Sequence, residues 1–323
     1  MRIVIVGLGS MGKRRLRLLR HFFPNATIAG IDAKESRRSN VSEFNIEVFS
    51  DLPDAISKFR PDVAFICTSP LAHDNLTETC LSHGIHVFSE INLVKNGYLK
   101  NLMLAREKKL ILFISSTFLY RKEIDYLRSK ICFSDICLYT YHVGQYLPDW
   151  HPWESHKDFF LSDKRTNGIR EILAINLPWL FETFGPIQEV FSFGNKITEL
   201  DIDYLDCRVI AIRHQNGTIG TFTADLVSRE PICSLRIENE NFLIKWDGKP
   251  DSLYEYSISD KNWAQIKLYN SIDKLTKYSE NIIEDAYRAE IEDFLDAIQY
   301  DTETKWSFEK DINVINLINK IEK

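Results

Sequence analysis

The chain has 323 residues, 44% hydrophobic and 12% aromatic, with 13 Gly and 10 Pro, a composition that excludes collagen-like, low-complexity and wholly disordered proteins. At that length two domains are expected rather than one very large core. Its 40 basic and 46 acidic side chains give a formal charge of −6, so no global positive field draws it to nucleic acid or an anionic membrane; small polar ligands remain open.

From Arg2 to about Ser116, short β-branched runs alternate with amphipathic stretches of helical length. The segments Arg2–Val6, Ala26–Ile31, Val63–Ile66, His86–Phe88 and Leu110–Ile114 read as buried parallel strands. Between them, Met11–Phe23, Leu52–Phe59, Ala72–His83 and Gly97–Lys108 carry apolar residues at helical spacing. This alternation predicts a doubly wound α/β sheet. No apolar stretch reaches the ~20 residues of a membrane helix, and Ile3–Val6 is too short for a signal-peptide core, so a cytoplasmic protein without membrane contact is expected. The 6 cysteines form no C-x-x-C pair and lie mostly among apolar neighbours, which predicts reduced thiols and no structural metal.

Gly7-Leu8-Gly9-Ser10-Met11-Gly12 directly follows the first strand and opens the first helix, as a dinucleotide fingerprint requires. Gly7 permits the tight turn, Gly9 lets backbone approach a diphosphate, and Gly12 allows close helix packing, while the helix N-terminus offers free N–H groups. Asp32, about 20 residues further on, stands where a carboxylate accepts hydrogen bonds from the adenosine ribose. That carboxylate favours NAD; Lys34, Arg37 and Arg38 keep NADP as the alternative. Most of the cations from Lys13 to Arg20 read as a solvated helix face. At the end of the next predicted strand, Thr68 and Ser69 offer hydroxyls and N–H groups either to the cofactor or to a helix cap, and His73 stands at the helix start.

Beyond about Leu119 the rhythm changes. A helix ends near Lys130, a strand runs Ile136–Val143, an aromatic segment covers Gln145–Phe160, and a helix fits Gly168–Phe184. From Ile187 to Leu268, successive strands separated by turns such as Gln215-Asn-Gly217 predict an antiparallel sheet, and two helices close the chain.

The Gly7–Gly12 loop, Thr68-Ser-Pro70 with His73, and the strand leading into Glu90 together resemble the Gfo/Idh/MocA oxidoreductases, a family that includes glucose-fructose oxidoreductase and inositol dehydrogenase. The resemblance continues through Asp225–Trp246 into the terminal helices. It implies a Rossmann domain at 1–118 and, at 119–323, an α/β domain whose open, mainly antiparallel sheet carries the substrate side and an interface for a homodimer or homotetramer. It also places Glu90 within reach of the nicotinamide ribose. The lysine of the family's Glu-Lys-Pro motif is here Ile91, and the aspartate and histidine positions of its second signature fall on Ile172, beside Glu171, and on Ile175 or Asn176. The usual acid/base groups are therefore replaced.

A hydroxyl proton then needs another acceptor. The segment Tyr141–Lys157 offers His151, His156, Tyr146 and Asp149, with Trp150 and Trp153 to stack on a sugar. Arg170 and Glu171 either form a helix-surface ion pair or project into the site to hold a carboxylate and take a proton. The segment Gly144–Trp150 is similar to a family branch associated with surface-sugar biosynthesis. The expectation is an NAD(P)-dependent oxidoreductase acting on a sugar-like or nucleotide-sugar hydroxyl; the rival is a non-catalytic dinucleotide-binding sensor of the same fold.

Overall fold

The computed structural model describes residues 1–132, 134–150, 155–158, 160–270, 272 and 283–323. The chain forms two units, Met1–Ser116 with Tyr287–Asn313, and Thr117–Ala286 with Val314–Lys323.

In the first unit, strands β1 (Arg2–Val6), β2 (Thr27–Ile31), β3 (Glu47–Phe49), β4 (Val63–Ile66), β5 (His86–Ser89) and β6 (Leu112–Ile114) make one parallel sheet in the order β3-β2-β1-β4-β5-β6. Helices α1 (Ser10–Phe22), α2 (Glu35–Ser39), α3 (Leu52–Phe59), α4 (His73–Ser82) and α5 (Tyr98–Lys108) connect them. Strand order reverses between β1 and β4, which opens a crevice at their carboxyl ends. The central strand β4 is buried along its whole length, consistent with its uninterrupted apolar run. Two short elements, α2 and the edge strand β3, escape the sequence pattern, because five and three residues are too few to show a period.

The cations of α1 divide: Lys13, Arg17 and Arg20 are not buried, and two others depart from the solvated face. Arg14 and Arg15 of α1 are buried, not solvated. Arg15 Nε donates to Glu90 Oε1 at 2.7 Å and its Nη2 to Glu290 Oε2 at 2.7 Å, and the guanidinium lies 4.5 Å from the centre of the Phe88 ring. Glu290 belongs to α8 (Glu284–Tyr300), whose Phe294 also meets the stacked rings of Phe65, Phe88 and Phe113 at 5.5–5.6 Å. The last helix, α9, spans Phe308–Ile321.

The second unit carries α6 (Lys122–Lys130), β7 (Leu138–Gly144), α7 (Gly168–Phe184), β8 (Ile187–Asn195), β9 (Cys207–His214), β10 (Ile219–Asp225), β11 (Ile232–Glu238), β12 (Leu243–Trp246), β13 (Tyr254–Ser257) and β14 (Asn262–Gln265). Its sheet runs β14-β13-β12-β11-β7-β10-β9-β8; β7 and β10 pair parallel and the other neighbours antiparallel. The Asn216-Gly217 turn joins β9 to β10, with Gly217 at φ +94°.

Alternation gives this sheet two different faces. Tyr139 stacks on Phe184 of α7 at 4.6 Å, and the Tyr141 hydroxyl donates to Asn176 Oδ1 at 2.6 Å, so α7 covers that face. On the other face Leu138, Phe191, Phe193, Val209 and Ile219 are exposed. Among the described residues no helix is long and apolar enough to cross a membrane.

Candidate functional site

The Gly7–Gly12 loop leaves β1 at the switch point, and its three glycines answer to different constraints. Gly7 has φ +95°, and a Cβ there would lie 2.8 Å from the Cys67 carbonyl oxygen. A Cβ on Gly12 would lie 1.9 Å from the Gly7 carbonyl oxygen, so helix and turn could not approach this closely with any side chain. Gly9 is different. Its backbone is extended (φ −73°, ψ −160°), and a Cβ would meet nothing nearer than the Arg37 guanidinium at 3.9 Å. Neither conformation nor packing within the protein requires a glycine there; a ligand lying against the backbone does. No side chain caps α1 and its first turn holds no acidic residue, so the N–H groups of Ser10, Met11 and Gly12 keep the positive end of the helix for an anion. This donor set suits a dinucleotide diphosphate.

Asp32, 7% exposed, ends β2 beside this loop. Its Oδ2 accepts from the Leu8 N–H and its Oδ1 from the Lys34 N–H, both at 2.9 Å, so the carboxylate braces the loop while each oxygen keeps acceptor capacity. Arg37 Nη1 stands 3.6 Å from Asp32 Oδ2 on a half-exposed side chain. Arg38 donates to the Asp32 carbonyl oxygen at 2.6 Å, a structural bond.

Across the switch point, Thr68 is half-buried and Ser69 exposed. His73 is buried: Nδ1 lies 2.6 Å from Asn92 Oδ1 and Nε2 3.0 Å from the Thr68 carbonyl oxygen, so both ring nitrogens are engaged within the protein. Burial lowers its pKa, and the ring holds the Thr68 backbone in place. Glu90 is likewise engaged: both oxygens accept from Arg15, and the Cys67 thiol lies 3.8 Å from Oε1.

In the second unit, Asn167 caps α7 by accepting from the Arg170 N–H at 2.9 Å. Arg170 and Glu171 do not pair with each other. The Arg170 guanidinium is buried and donates to Glu322 and Asn319, a tie within the second unit. Glu171 Oε2 is shut from solvent and has no hydrogen-bond partner among the described residues. Burial pushes this carboxyl up to about 7, where it exchanges a proton near neutrality. His156 opens a short 3-10 turn, His156–Asp158; His151 and Trp153 lie outside the described residues.

Sequence reasoning missed one pair. His142 Nε2 lies 2.6 Å from Asp225 Oδ2, across the parallel pairing of β7 and β10. Asp225 also accepts from the Val227 and Ser228 N–H groups at 2.8 and 2.7 Å and from the Ser228 hydroxyl at 3.0 Å. Burial alone would raise its pKa, but these donors outweigh burial and hold it at about 2. Period-two alternation puts His142 opposite the apolar Tyr139 and Tyr141, which was the available signal. Its partner, 83 residues away in the chain, was not legible.

Residues 1–113 match the sequence model of the Gfo/Idh/MocA group, described as an oxidoreductase family with an NAD-binding Rossmann fold. Among curated proteins, biliverdin reductase A from Homo sapiens is 27% identical over 136 residues; the match spans 42% of this chain and about half, 46%, of that protein. Similar solved structures include UDP-N-acetylglucosamine 3-dehydrogenase GnnA from Acidithiobacillus ferrooxidans, at TM-score 0.79 and 19% identity, covering 99% of this chain and 96% of that one. The WlbA dehydrogenase from Chromobacterium violaceum, in complex with NADH and UDP-GlcNAcA, gives TM-score 0.78 and 13% identity over 99% and 92%. Levoglucosan dehydrogenase in complex with NADH gives 0.81 and 14% over 99% and 95%. At these identities the structures establish the fold.

Proposed function

We propose that this chain, whose residues 1–113 form the NAD-binding Rossmann domain of the Gfo/Idh/MocA oxidoreductases, transfers a hydride between NAD and a CH–OH or carbonyl carbon of a sugar-like or nucleotide-sugar substrate. The observation that carries the reading is Gly9, a glycine that no packing or dihedral angle in the protein demands, set at an uncapped helix end beside Asp32. When bound, the nicotinamide supplies the hydride acceptor or donor. Gly7–Gly12, with Leu8, Ser10 and Met11, hold the diphosphate, Asp32 the adenosine ribose and Thr68 and Ser69 the neighbouring backbone. His73 and Glu90 support that surface from beneath through their buried partners. Asp32 supports NAD over NADP, and Arg37 beside it is the residue through which a 2′-phosphate would be tolerated.

Ile91 cannot carry a proton, so the hydroxyl proton needs another acceptor. Glu171, with a carboxyl near neutrality and an unbonded oxygen, suits that task. The likeness to UDP-N-acetylglucosamine 3-dehydrogenase GnnA and to the WlbA dehydrogenase supports a nucleotide sugar, and the Gly144–Trp150 segment supports a role in making surface sugars.

The test is NAD-dependent oxidation of a panel comprising UDP-N-acetylglucosamine, UDP-N-acetylglucosaminuronate, levoglucosan and myo-inositol. Glu171→Gln is expected to lower kcat by ~10²–10⁴-fold, a usual worth of general acid–base catalysis, and to abolish a rise of activity with pH through about 7. The same change should act on stability with a known sign. The carboxyl is raised from 4.5, so its contribution is complete below the unfolded value and is lost as pH rises through about 7. The Gln variant should therefore melt above the parent at pH 8 and level with it at pH 4. The rival reading, a dinucleotide-binding sensor, is favoured by Ile91; it stands if NAD binds and no panel member is oxidised.

The open sheet face supports self-association into a dimer or tetramer, since five large apolar side chains are exposed there. Phe193→Asp, at a position 78% exposed, should lower the mass measured by light scattering without lowering the melting temperature. An unchanged mass would exclude this face as the interface.

A further inference from the structure

The turn that follows β4 carries donors that the protein leaves unused. Cys67 N–H still donates to the Val6 carbonyl at 2.8 Å, and there the pairing with β1 ends. Beyond it, the N–H groups of Thr68 and Ser69 donate to nothing among the described residues. No side chain caps the 3-10 turn Pro70–Ala72 or α4 behind it, so the Ser69 hydroxyl is not engaged by the helix either. This turn lies against the glycine loop. The Cβ that Gly7 lacks would come 2.8 Å from the Cys67 carbonyl oxygen and 3.0 Å from the Thr68 Cγ2 methyl. The strand order β2-β1-β4 puts Asp32 on one side of that loop and Thr68 on the other. A dinucleotide whose adenosine ribose meets Asp32 and whose diphosphate meets Gly7–Gly12 therefore continues toward Thr68 and Ser69.

Two buried side chains hold the turn. The Thr68 carbonyl oxygen lies past the strand pairing, and its hydrogen-bond partner is His73 Nε2 at 3.0 Å. A carbonyl oxygen only accepts, so Nε2 carries the donated proton whatever the state of the other nitrogen. His73, 2% exposed, is seated in turn by Asn92, 3% exposed and just past β5, whose amide lies 2.6 Å from Nδ1. An amide can present its oxygen or its NH2 group, so Asn92 serves a protonated or an unprotonated Nδ1 alike. The Ser89 hydroxyl stands further off, 3.3 Å from the same nitrogen, and donates to the Glu90 carbonyl at 3.0 Å. All of these residues belong to the first unit.

We propose that Asn92, acting through His73, is a positioning residue for NAD: it fixes the Thr68–Ser69 turn so that its backbone N–H groups and the Ser69 hydroxyl meet the half of the dinucleotide that leaves the glycine loop on the β4 side. The inference rests on NAD binding at Gly7–Gly12 and deepens it, by assigning a role to a residue that touches no cofactor atom itself. With the ring unseated, the Thr68 carbonyl loses its tie and the turn drifts from the place the cofactor requires.

The experiment measures binding of NAD by calorimetry, and of AMP by ligand-observed NMR, to the full-length parent, Asn92→Leu, His73→Asn and His73→Gln. AMP spans Asp32 and the glycine loop but stops short of the turn after β4, so it reports the first half of the site alone. Leucine has nearly the shape of asparagine without its polar atoms. Asn92→Leu should therefore weaken NAD by about 10- to 100-fold, the worth of one or two hydrogen bonds, with AMP within about 3-fold of the parent. The glutamine amide nitrogen takes the place of Nε2, so His73→Gln should keep NAD within about 3-fold. The asparagine amide reaches only the place of Nδ1, so His73→Asn should lose as much as Asn92→Leu. Unchanged NAD affinity in Asn92→Leu and His73→Asn, or NAD and AMP weakened in equal proportion, overturns the assignment while leaving the cofactor reading intact. If the parent itself binds no NAD, both fall together. Should Asn92→Leu fail to fold, His73→Asn and His73→Gln decide, and equal NAD affinity in those two overturns the proposal.

Discussion

Gly9→Val is expected to abolish cofactor binding without disturbing the fold. The valine adopts the extended backbone of this position without strain, since φ −73° and ψ −160° lie in a region open to branched residues. Its Cβ meets only the Arg37 guanidinium at 3.9 Å, the end of a flexible side chain. Melting temperature should accordingly stay within about 2 °C of the parent, as for surface substitutions that break no special feature. A diphosphate, by contrast, must lie against the N–H groups of the turn, where the valine methyls now stand. Losing two charge-assisted hydrogen bonds, each worth roughly 1.5–3 kcal/mol, should weaken NAD by about 10²–10⁴-fold. Calorimetric titration of NAD into parent and variant measures both numbers needed. If Gly9→Val binds NAD within threefold of the parent, the diphosphate does not lie on this loop and the cofactor assignment of Gly7 to Gly12 fails. Gly12→Ala is the contrasting control. There the added Cβ is 1.9 Å from a backbone oxygen, so stability and binding should fall together.

Replacing Arg15 by Met should cost the fold more than any surface change. The guanidinium is fully buried, donates to Glu90, Glu290, Ser115 and the Tyr287 carbonyl oxygen, and holds α1 to α8 and to the residues that follow β5 and β6. Burial alone would lower its pKa, but the two carboxylates outweigh burial and raise it, so the cation is permanent. A methionine fills similar volume and leaves both carboxylates buried without their counter-charge, a loss of about 3–5 kcal/mol in urea unfolding. The pH dependence has a definite sign. Burial already raises the Glu290 carboxyl above its ordinary value, with Arg15 holding it down. Without Arg15 it climbs further, and a carboxyl raised in the folded state contributes stability at low pH that is lost as pH rises. The deficit should therefore be larger at pH 8 than at pH 5, and Arg15→Met combined with Glu290→Gln should recover part of it. A deficit under about 1 kcal/mol at pH 8 would mean the carboxylates reach water when the cation leaves.

Local chemistry was legible wherever function depends on neighbours in the chain. Strand β1, the glycines at 7, 9 and 12 and helix α1 are contiguous, so spacing alone located the turn, and Asp32 followed because β2 must end next to β1 in a parallel pair. Strand β7 and helix α7 were likewise readable as separate elements, since period two and period 3.6 are properties of short windows. The sequence also marked what is missing, because Ile91 at the end of β5 is incapable of acid–base work in any fold.

What required three dimensions was the partner of each charged group. Arg15 looked solvated because its neighbours on α1 are cations; Glu90 and Glu290, 75 and 275 residues away, make it a buried hub. Arg170 and Glu171 are adjacent in the chain and invite a pair, yet Arg170 reaches Glu322 near the C-terminus and leaves Glu171 with a desolvated oxygen. His142 is one polar residue in a strand until β10 brings Asp225 against it. Charge–charge and desolvation energies depend on distance and burial, which sequence separation does not report, whereas backbone turns and amphipathic periods are set within a few residues. That physical difference divides what this amino-acid sequence determined by itself from what only its tertiary structure decided.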